Sequence, residues 1–285
     1  MKRVLITGSS RGIGFETALA FGRAGYQVFA TLRNPETAVE LLEKTEEEAL
    51  MISLHAMDVN SDGSVHSCIE GILKKFGPID VLVNNAGIAL KGSIEEMPVG
   101  DFKAVMETNF LGAIRCIQAV LPAMRQNKSG CIINVTSVSG RLTSSPLGCY
   151  SASKFALEAV SEALAQEVRP FNIRVGIIEP GIIDTDMAHE IEDFAPSIYP
   201  SSKRMSDLFF ASLKNPTPAS LVGEKILDFA ESDSWILRHP VGPDALPFIL
   251  WRNSMTDEQW VEWNSLPEEE WYDAVERDFG LSARR

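Results

Sequence analysis

Tyr150 and Lys154 stand four residues apart at the start of a predicted helix, a spacing that puts both side chains on one face. A free tyrosine titrates near ~10, too high for an efficient base at neutral pH. An adjacent ammonium stabilises the phenolate and lowers that value, so the pair can act as a general acid and base. The same spacing also arises between two surface side chains. A second candidate is the run Thr7-Gly8-Ser9-Ser10-Arg11-Gly12-Ile13-Gly14, placed between a strand and a helix. Glycines let the backbone turn tightly against a pyrophosphate, and a helix N-terminus offers free N–H groups with a positive dipole end. The spacing is GxxxGxG rather than GxGxxG, and a purely structural turn is the alternative. No acid ends the second predicted strand, where an NAD site would hold a ribose hydroxyl. Arg33 stands there instead and, with Arg11 and the Ser10 hydroxyl, could converge on a 2′-phosphate. Exposed surface arginines are the alternative.

These residues need a scaffold, and the hydrophobic pattern supplies one. Short β-branched runs at 3–7, 27–32, 51–57, 81–84, 131–135 and 174–178 read as strands. Helical patterns lie between them at 13–24, 36–48, 64–76, 100–125 and 151–170, with Gly25, Gly77 and Gly130 as stop signals. Val4-Leu5-Ile6 and Val81-Leu82-Val83 are continuously apolar, as in strands covered on both faces. Alternation of this kind predicts an α/β, Rossmann-type, doubly wound parallel sheet. Residues 186–218 change character, being rich in Pro, Ser, Phe and Met. A helix at 220–230 and a seventh strand at 235–238 follow, closing a domain over 1–240. All five Trp lie after residue 234, most of them in an acidic helical extension over 241–285. There Thr256-x-x-Gln259 and Ser265-x-x-Glu268 read as capping boxes, and Trp260, Trp263 and Trp271 would dock the extension onto the domain.

Composition narrows the functional classes. The 285 residues carry a net charge of −13, which disfavours nucleic acid and anionic membranes as partners. Residues 256–278 hold nine Asp or Glu and one Arg, so −8 of that total belongs to the extension. No secretory h-region or membrane-length apolar stretch occurs, and the most apolar long segment, 110–124, carries Arg115 and Gln118. Cys68, Cys116, Cys131 and Cys149 lack metal or disulfide spacing, so reduced cysteines, no bound metal and a cytoplasmic setting are expected.

Taken together, the motifs resemble those of the short-chain dehydrogenase/reductase family over residues 1 to about 240. TGSSRGIG at 7–14, Asp58-Val59, Asn84-Asn85-Ala86-Gly87, Asn109, Ser137, Tyr150-x-x-x-Lys154 and Pro180-Gly181-x-x-x-Thr185 appear in family order. The resemblance implies an NADP(H)-preferring oxidoreductase, with NAD(H) possible, acting between a carbonyl and a secondary alcohol. It makes Tyr150 the proton donor or base, and gives Ser137 the substrate oxygen. Lys154 holds the nicotinamide ribose and lowers the tyrosine pKa, while Asn109 anchors a relay water. Gly8, Ser10, Arg11, Gly12, Ile13 and Gly14 hold the dinucleotide, joined by Arg33, Asp58, Val59, Asn85, Ala86 and Gly87. Tyr150, Lys154, Pro180, Gly181, Ile183 and Thr185 complete the cofactor set.

Residues 26–33 and 239–245 further resemble a branch containing hydroxysteroid dehydrogenases. Residues 186–218 occupy the position of the family's substrate lid. Met187, Ile191, Phe194, Phe209 and Phe210 would wall an apolar pocket there, with Leu142 and Leu147. A non-catalytic dinucleotide sensor is disfavoured by intact Ser137, Tyr150 and Lys154, and a sugar-nucleotide epimerase by the glycine spacing. A homodimer through the helices at 100–125 and 151–170 is expected.

Overall fold

In β1 (Arg3–Thr7), Val4 and Ile6 face one side of the sheet and Leu5 the other, and all three are fully buried. Alternation of this kind in a strand apolar throughout requires cover on both faces. The computed structural model describes residues 1–193 and 196–285. Its strands are β1, β2 (Gln27–Leu32), β3 (Ile52–Ala56), β4 (Val81–Asn84), β5 (Gly130–Val135), β6 (Ile173–Pro180) and β7 (Arg238–Val241). They form one parallel sheet in the order β3-β2-β1-β4-β5-β6-β7. The order reverses between β1 and β4, which opens a crevice at their C-terminal ends where ligands bind in such sheets.

On one face α1 (Gly12–Arg23) and α9 (Ala219–Glu231) pack with Phe15, Leu19, Phe21, Ile226 and Phe229. On the other lie α3 (Asp62–Phe76), α5 (Gly112–Asn127) and α6 (Gly148–Val168), burying Ile69, Ile72, Ile117, Val120 and Leu164. Short helix α2 (Val39–Glu47) follows a 3-10 turn at Pro35–Thr37 on the β2–β3 crossover. The helix predicted at 100–125 is divided into α4 (Val99–Met106), a π-helical turn Glu107–Leu111, and α5. Between β6 and α9 lie α7 (Asp186–Glu192) and α8 (Ser201–Leu213). The extension folds as α10 (Ala245–Asn253), α11 (Asp257–Asn264) and α12 (Glu268–Phe279). Among the described residues, no helix is long and apolar enough to cross a membrane.

Several details differ from the sequence expectations. The last strand lies at 238–241, not 235–238, because Trp235 leaves the sheet edge to stack on Arg169, whose guanidinium is 4.0 Å from the ring. Gly130 ends no helix; Lys128 takes the left-handed conformation after α5. Gly130 begins β5, where a Cβ would sit 2.6 Å from Met124 Sδ. The Thr256–Gln259 capping box forms, whereas Ser265 donates back to Val261 O at 2.7 Å and so closes α11. Pro267 is the residue that leads into α12.

Gly176 of β6 lets Phe229 of α9 lie against the strand, since a Cβ there would meet the ring at 2.3 Å. The Phe229→Ala variant should lose about 3–5 kcal/mol of unfolding free energy, measured by denaturant titration.

Candidate active site

The C-terminal end of β1 turns through Gly8 and Gly12, with φ of +70° and +58°, before α1 begins. Gly14 is required by close approach, because a Cβ would fall 2.2 Å from Gly8 O and 2.5 Å from Asn85 Nδ2. Asn85 fixes this turn by donating to Thr7 O at 3.0 Å and Gly8 O at 3.1 Å. In return, Thr7 Oγ1 accepts from the backbone N–H groups of Asn85 and Ala86. Helix α1 has neither a side-chain N-cap nor an acid in its first turn. Its first N–H groups are thus free to receive an anion, and the glycine cradle fits a dinucleotide pyrophosphate. Asp58 is pinned beyond β3 by its N–H to Ser64 Oγ at 2.9 Å.

Arg33 lines the groove at the end of β2 and makes no ion pair among the described residues. Arg11 lines the same groove but carries an ion pair that its sequence position does not reveal. It reaches Asp186 at 2.7 Å and Glu190 at 3.7 Å, both on α7. Those acids were not considered from sequence, because they lie about 175 residues away.

Ser137 follows β5 and accepts from the Ser139 N–H at 3.1 Å. Tyr150, in the first turn of α6, is 9% exposed, and Lys154 lies one turn on. Lys154 Nζ donates to Val135 O at 2.9 Å and lies 5.6 Å from the Tyr150 ring centroid. Burial pushes the Tyr150 phenol up to about 12, against a smaller downward pull from the Ser137 hydroxyl. The lowering expected from Lys154 is not found: desolvation sets the direction of the shift, and Ser137 supplies the only opposing pull. Burial also pulls Lys154 down to about 8, with Glu158 opposing.

Asn109 sits inside the π-helical turn, with its amide spent on protein partners: Nδ2 donates to Ile88 O and Ser153 Oγ, and Oδ1 accepts from Ile88 N–H. Ser153 in turn donates to Tyr150 O at 2.7 Å. Sequence reasoning missed Ser153, a serine inside a helix with no motif to mark it.

A buried ion-pair network braces the loop after Ser137. Glu179, at the end of β6 and 0% exposed, binds Arg141 Nη1 at 2.9 Å. Glu158 takes Arg238 Nε at 3.0 Å and Thr136 Oγ1 at 2.7 Å, while Arg238 also reaches Glu162 at 2.7 Å. Asp244 accepts the Ile182 N–H at 2.7 Å and packs on Gly181, where a Cβ would fall 2.1 Å from its Oδ1.

One cavity of about 630 Å3 joins these parts. Gly8, Ser10, Arg11, Gly12, Ile13, Arg33, Asp58, Val59, Asn85, Ala86 and Gly87 line its cofactor end. Ser137, Tyr150, Lys154, Pro180, Gly181, Ile183 and Thr185 line its centre. Leu142, Leu147, Met187, Ile191 and Phe209 line its apolar side. Gly14 and Asn109 stand behind the wall and shape it. Phe210 faces away, with Lys214 and Arg285 over its ring, and Phe194 lies outside the described residues. Sequence reasoning missed Arg204, Phe248, Trp251, Trp263, Trp271 and Phe279 as lining. Their aromatic content marks a docking surface in the sequence, and the packing turns part of it toward the cavity.

Residues 2–196 match the family model for short chain dehydrogenases. The chain belongs to that family. It is 35% identical over 268 residues to Oxidoreductase BOA17 of Botryotinia fuckeliana, covering 90% of this chain and 96% of that protein. It is 34% identical to a 3-ketodihydrosphingosine reductase of Bacteroides thetaiotaomicron, covering 82% and 92%. Among solved structures, a short-chain dehydrogenase from Streptomyces avermitilis superposes with a TM-score of 0.79 at 29% identity, covering 92% and 95%. A gluconate 5-dehydrogenase from Burkholderia cenocepacia, in complex with NADP and tartrate, superposes at 0.74 with 25% identity, covering 86% and 95%. This family member is an oxidoreductase enzyme, and several of its structural neighbours are complexed with NADP or 5-hydroxy-NADP.

Two variants test the architecture. Gly14→Ala should weaken NADPH binding by more than about tenfold in calorimetric titration, because the turn must open to admit the methyl. Arg141→Ala should cost on the order of 3 kcal/mol in chemical denaturation by leaving Glu179 buried with a poorer partner.

Proposed function

We propose that the enzyme transfers a hydride between NADP(H) and the carbonyl or secondary alcohol of a moderately apolar substrate. The observation that carries this reading is the meeting of Ser137, Tyr150 and Lys154 at the centre of a cavity with a dinucleotide cradle at one end and an apolar lid at the other. When bound, the nicotinamide supplies or accepts the hydride. The protein's own work is to orient the carbonyl, exclude water and move a proton. Ser137 donates a hydrogen bond to the substrate oxygen, and Tyr150 transfers the phenolic proton to it. An ammonium at Lys154 stabilises the phenolate left behind. Arg33 favours a 2′-phosphorylated cofactor, and the absence of an acid at the end of β2 supports the same preference.

The name of the ketodihydrosphingosine reductase relative, together with Leu142, Leu147, Met187 and Ile191, supports an apolar ketone as the substrate. A hydroxysteroid-type substrate is the second reading, favoured by the apolar lid and the size of the cavity. We also place the enzyme in the cytoplasm as a homodimer. Four free cysteines fit a reducing compartment, and exposed Leu111 and Phe155 mark the flank of α5 and α6 as the contact face.

Tyr150→Phe should reduce carbonyl turnover by at least about 100-fold while retaining NADPH binding, followed through NADPH absorbance with a panel of apolar ketones. No turnover of any carbonyl by the wild type would overturn the reading. The Lys154 ammonium releases its proton near 8, so reductive kcat/KM should fall as pH rises through that value. Lys154→Arg, which holds its charge, should move that limb to higher pH.

A further inference from the structure

At the end of the cavity away from the dinucleotide cradle lies a charge that the reaction does not use. Arg204, on α8, is 6% exposed and lines the cavity beneath the extension. Among the described residues it makes no ion pair with any carboxylate. Its Nη2 donates to Leu266 O at 2.8 Å and its Nη1 lies 3.5 Å from Asn264 O, while its buried Nε–H has no partner. The guanidinium lies 5.6 Å from the Trp271 ring. The nearest acid along the helix does not neutralise it. Asp207 is taken by Lys203 at 2.8 Å, by Arg285 at 3.1 Å and by the Tyr272 hydroxyl.

The walls around Arg204 are aromatic. Trp251 meets Trp260, Trp263 and Phe279 edge to face, with centroids 5.2, 4.9 and 4.7 Å apart. The indole N–H of Trp260 is spent on Thr143 O, and that of Trp263 on Asp278. These two rings therefore bring carbon, and no free donor, to the cavity. A buried guanidinium without a counter-ion is unfavourable, and a carboxylate is the group its fork of donors fits best.

We propose that the distal end of the cavity recognises a carboxylate carried by an elongated apolar substrate, with Arg204 as its partner and the tryptophans around the hydrocarbon. The acidic exterior of the extension repels small free anions, so the apolar body must drive entry. The substrate class is then a long-chain or polycyclic oxo acid or hydroxy acid, with its carbonyl or carbinol at Tyr150 and its acid at Arg204. Its turnover rests on the oxidoreductase reading above, whereas its binding does not.

The test compares dodecanoate with methyl dodecanoate, titrated into the full-length protein with tryptophan fluorescence as the readout. Wild type should bind the acid more tightly than the ester by about tenfold or more. Arg204→Gln should collapse that ratio toward one, and Arg204→Lys should restore part of it. Equal affinity of the wild type for acid and ester would overturn the proposal, whether or not the glutamine variant folds. So would a glutamine variant that weakens both ligands equally, which would make Arg204 only a clamp on the carbonyls of α11. Turnover of ω-oxo acids against their methyl esters separates the two readings. Reduction of both with no preference sinks the carboxylate site alone, and acid-selective binding without any turnover sinks the reductase reading alone.

Discussion

The arrangement depends on a cation removed from water. Lys154 lies in the second turn of α6, held by the carbonyl of Val135 at the end of β5, with Glu158 one turn further on. Burial lowers its pKa from an ordinary 10.5 to about 8, a shift that corresponds to about 3 kcal/mol of unfavourable environment. A fold tolerates that only where the surroundings hold the group rigidly, and they do. Asn109 ties the π-helical turn to Ser153 and so to the first turn of α6, while Arg141, Glu179 and Arg238 brace the loop that carries Ser137. Placing an ammonium beside a buried phenol is what gives an otherwise neutral tyrosine a charged neighbour to answer.

The net charge of −13 describes the outside of the molecule, and most of it comes from residues 256–278. The cavity leans the other way, with Arg11, Arg33, Lys154 and Arg204 against Asp58 and Asp186 in its lining. The acidity and the tryptophans of the extension point in opposite directions: the carboxylates are largely exposed, and the indoles close the far side of the cavity. The extension, beyond residues 2–196 that match the family model, therefore contributes the aromatic part of the cavity wall.

Much of this was legible from residue order. Strands 3–7, 27–32 and 81–84 carry the predicted bounds, because continuous β-branched runs between glycines leave little choice. The glycine turn and the Tyr150–Lys154 pair were legible because each is local, set by spacing along one turn or one helix. What was missed depends on distant partners. Arg11 pairs with Asp186 across the chain, and Trp235 leaves the sheet for Arg169. Helix α10 was not foreseen because Pro247 and a dense apolar run hide its period. Arg204 had no motif; only the packing of α8 under the extension makes it a buried charge.

Lys154 is buried at a cost for the sake of its charge, and stability against pH tests this directly. The folded pKa lies below the unfolded one, so wild type carries the full cost below pH 8 and recovers stability as pH rises toward 10.5. Unfolding free energies of wild type and Lys154→Met should be measured by denaturant titration across that range. The methionine variant should be the more stable by about 3 kcal/mol at pH 7, with the gap narrowing steadily above pH 8. A difference that stays constant with pH would contradict the account.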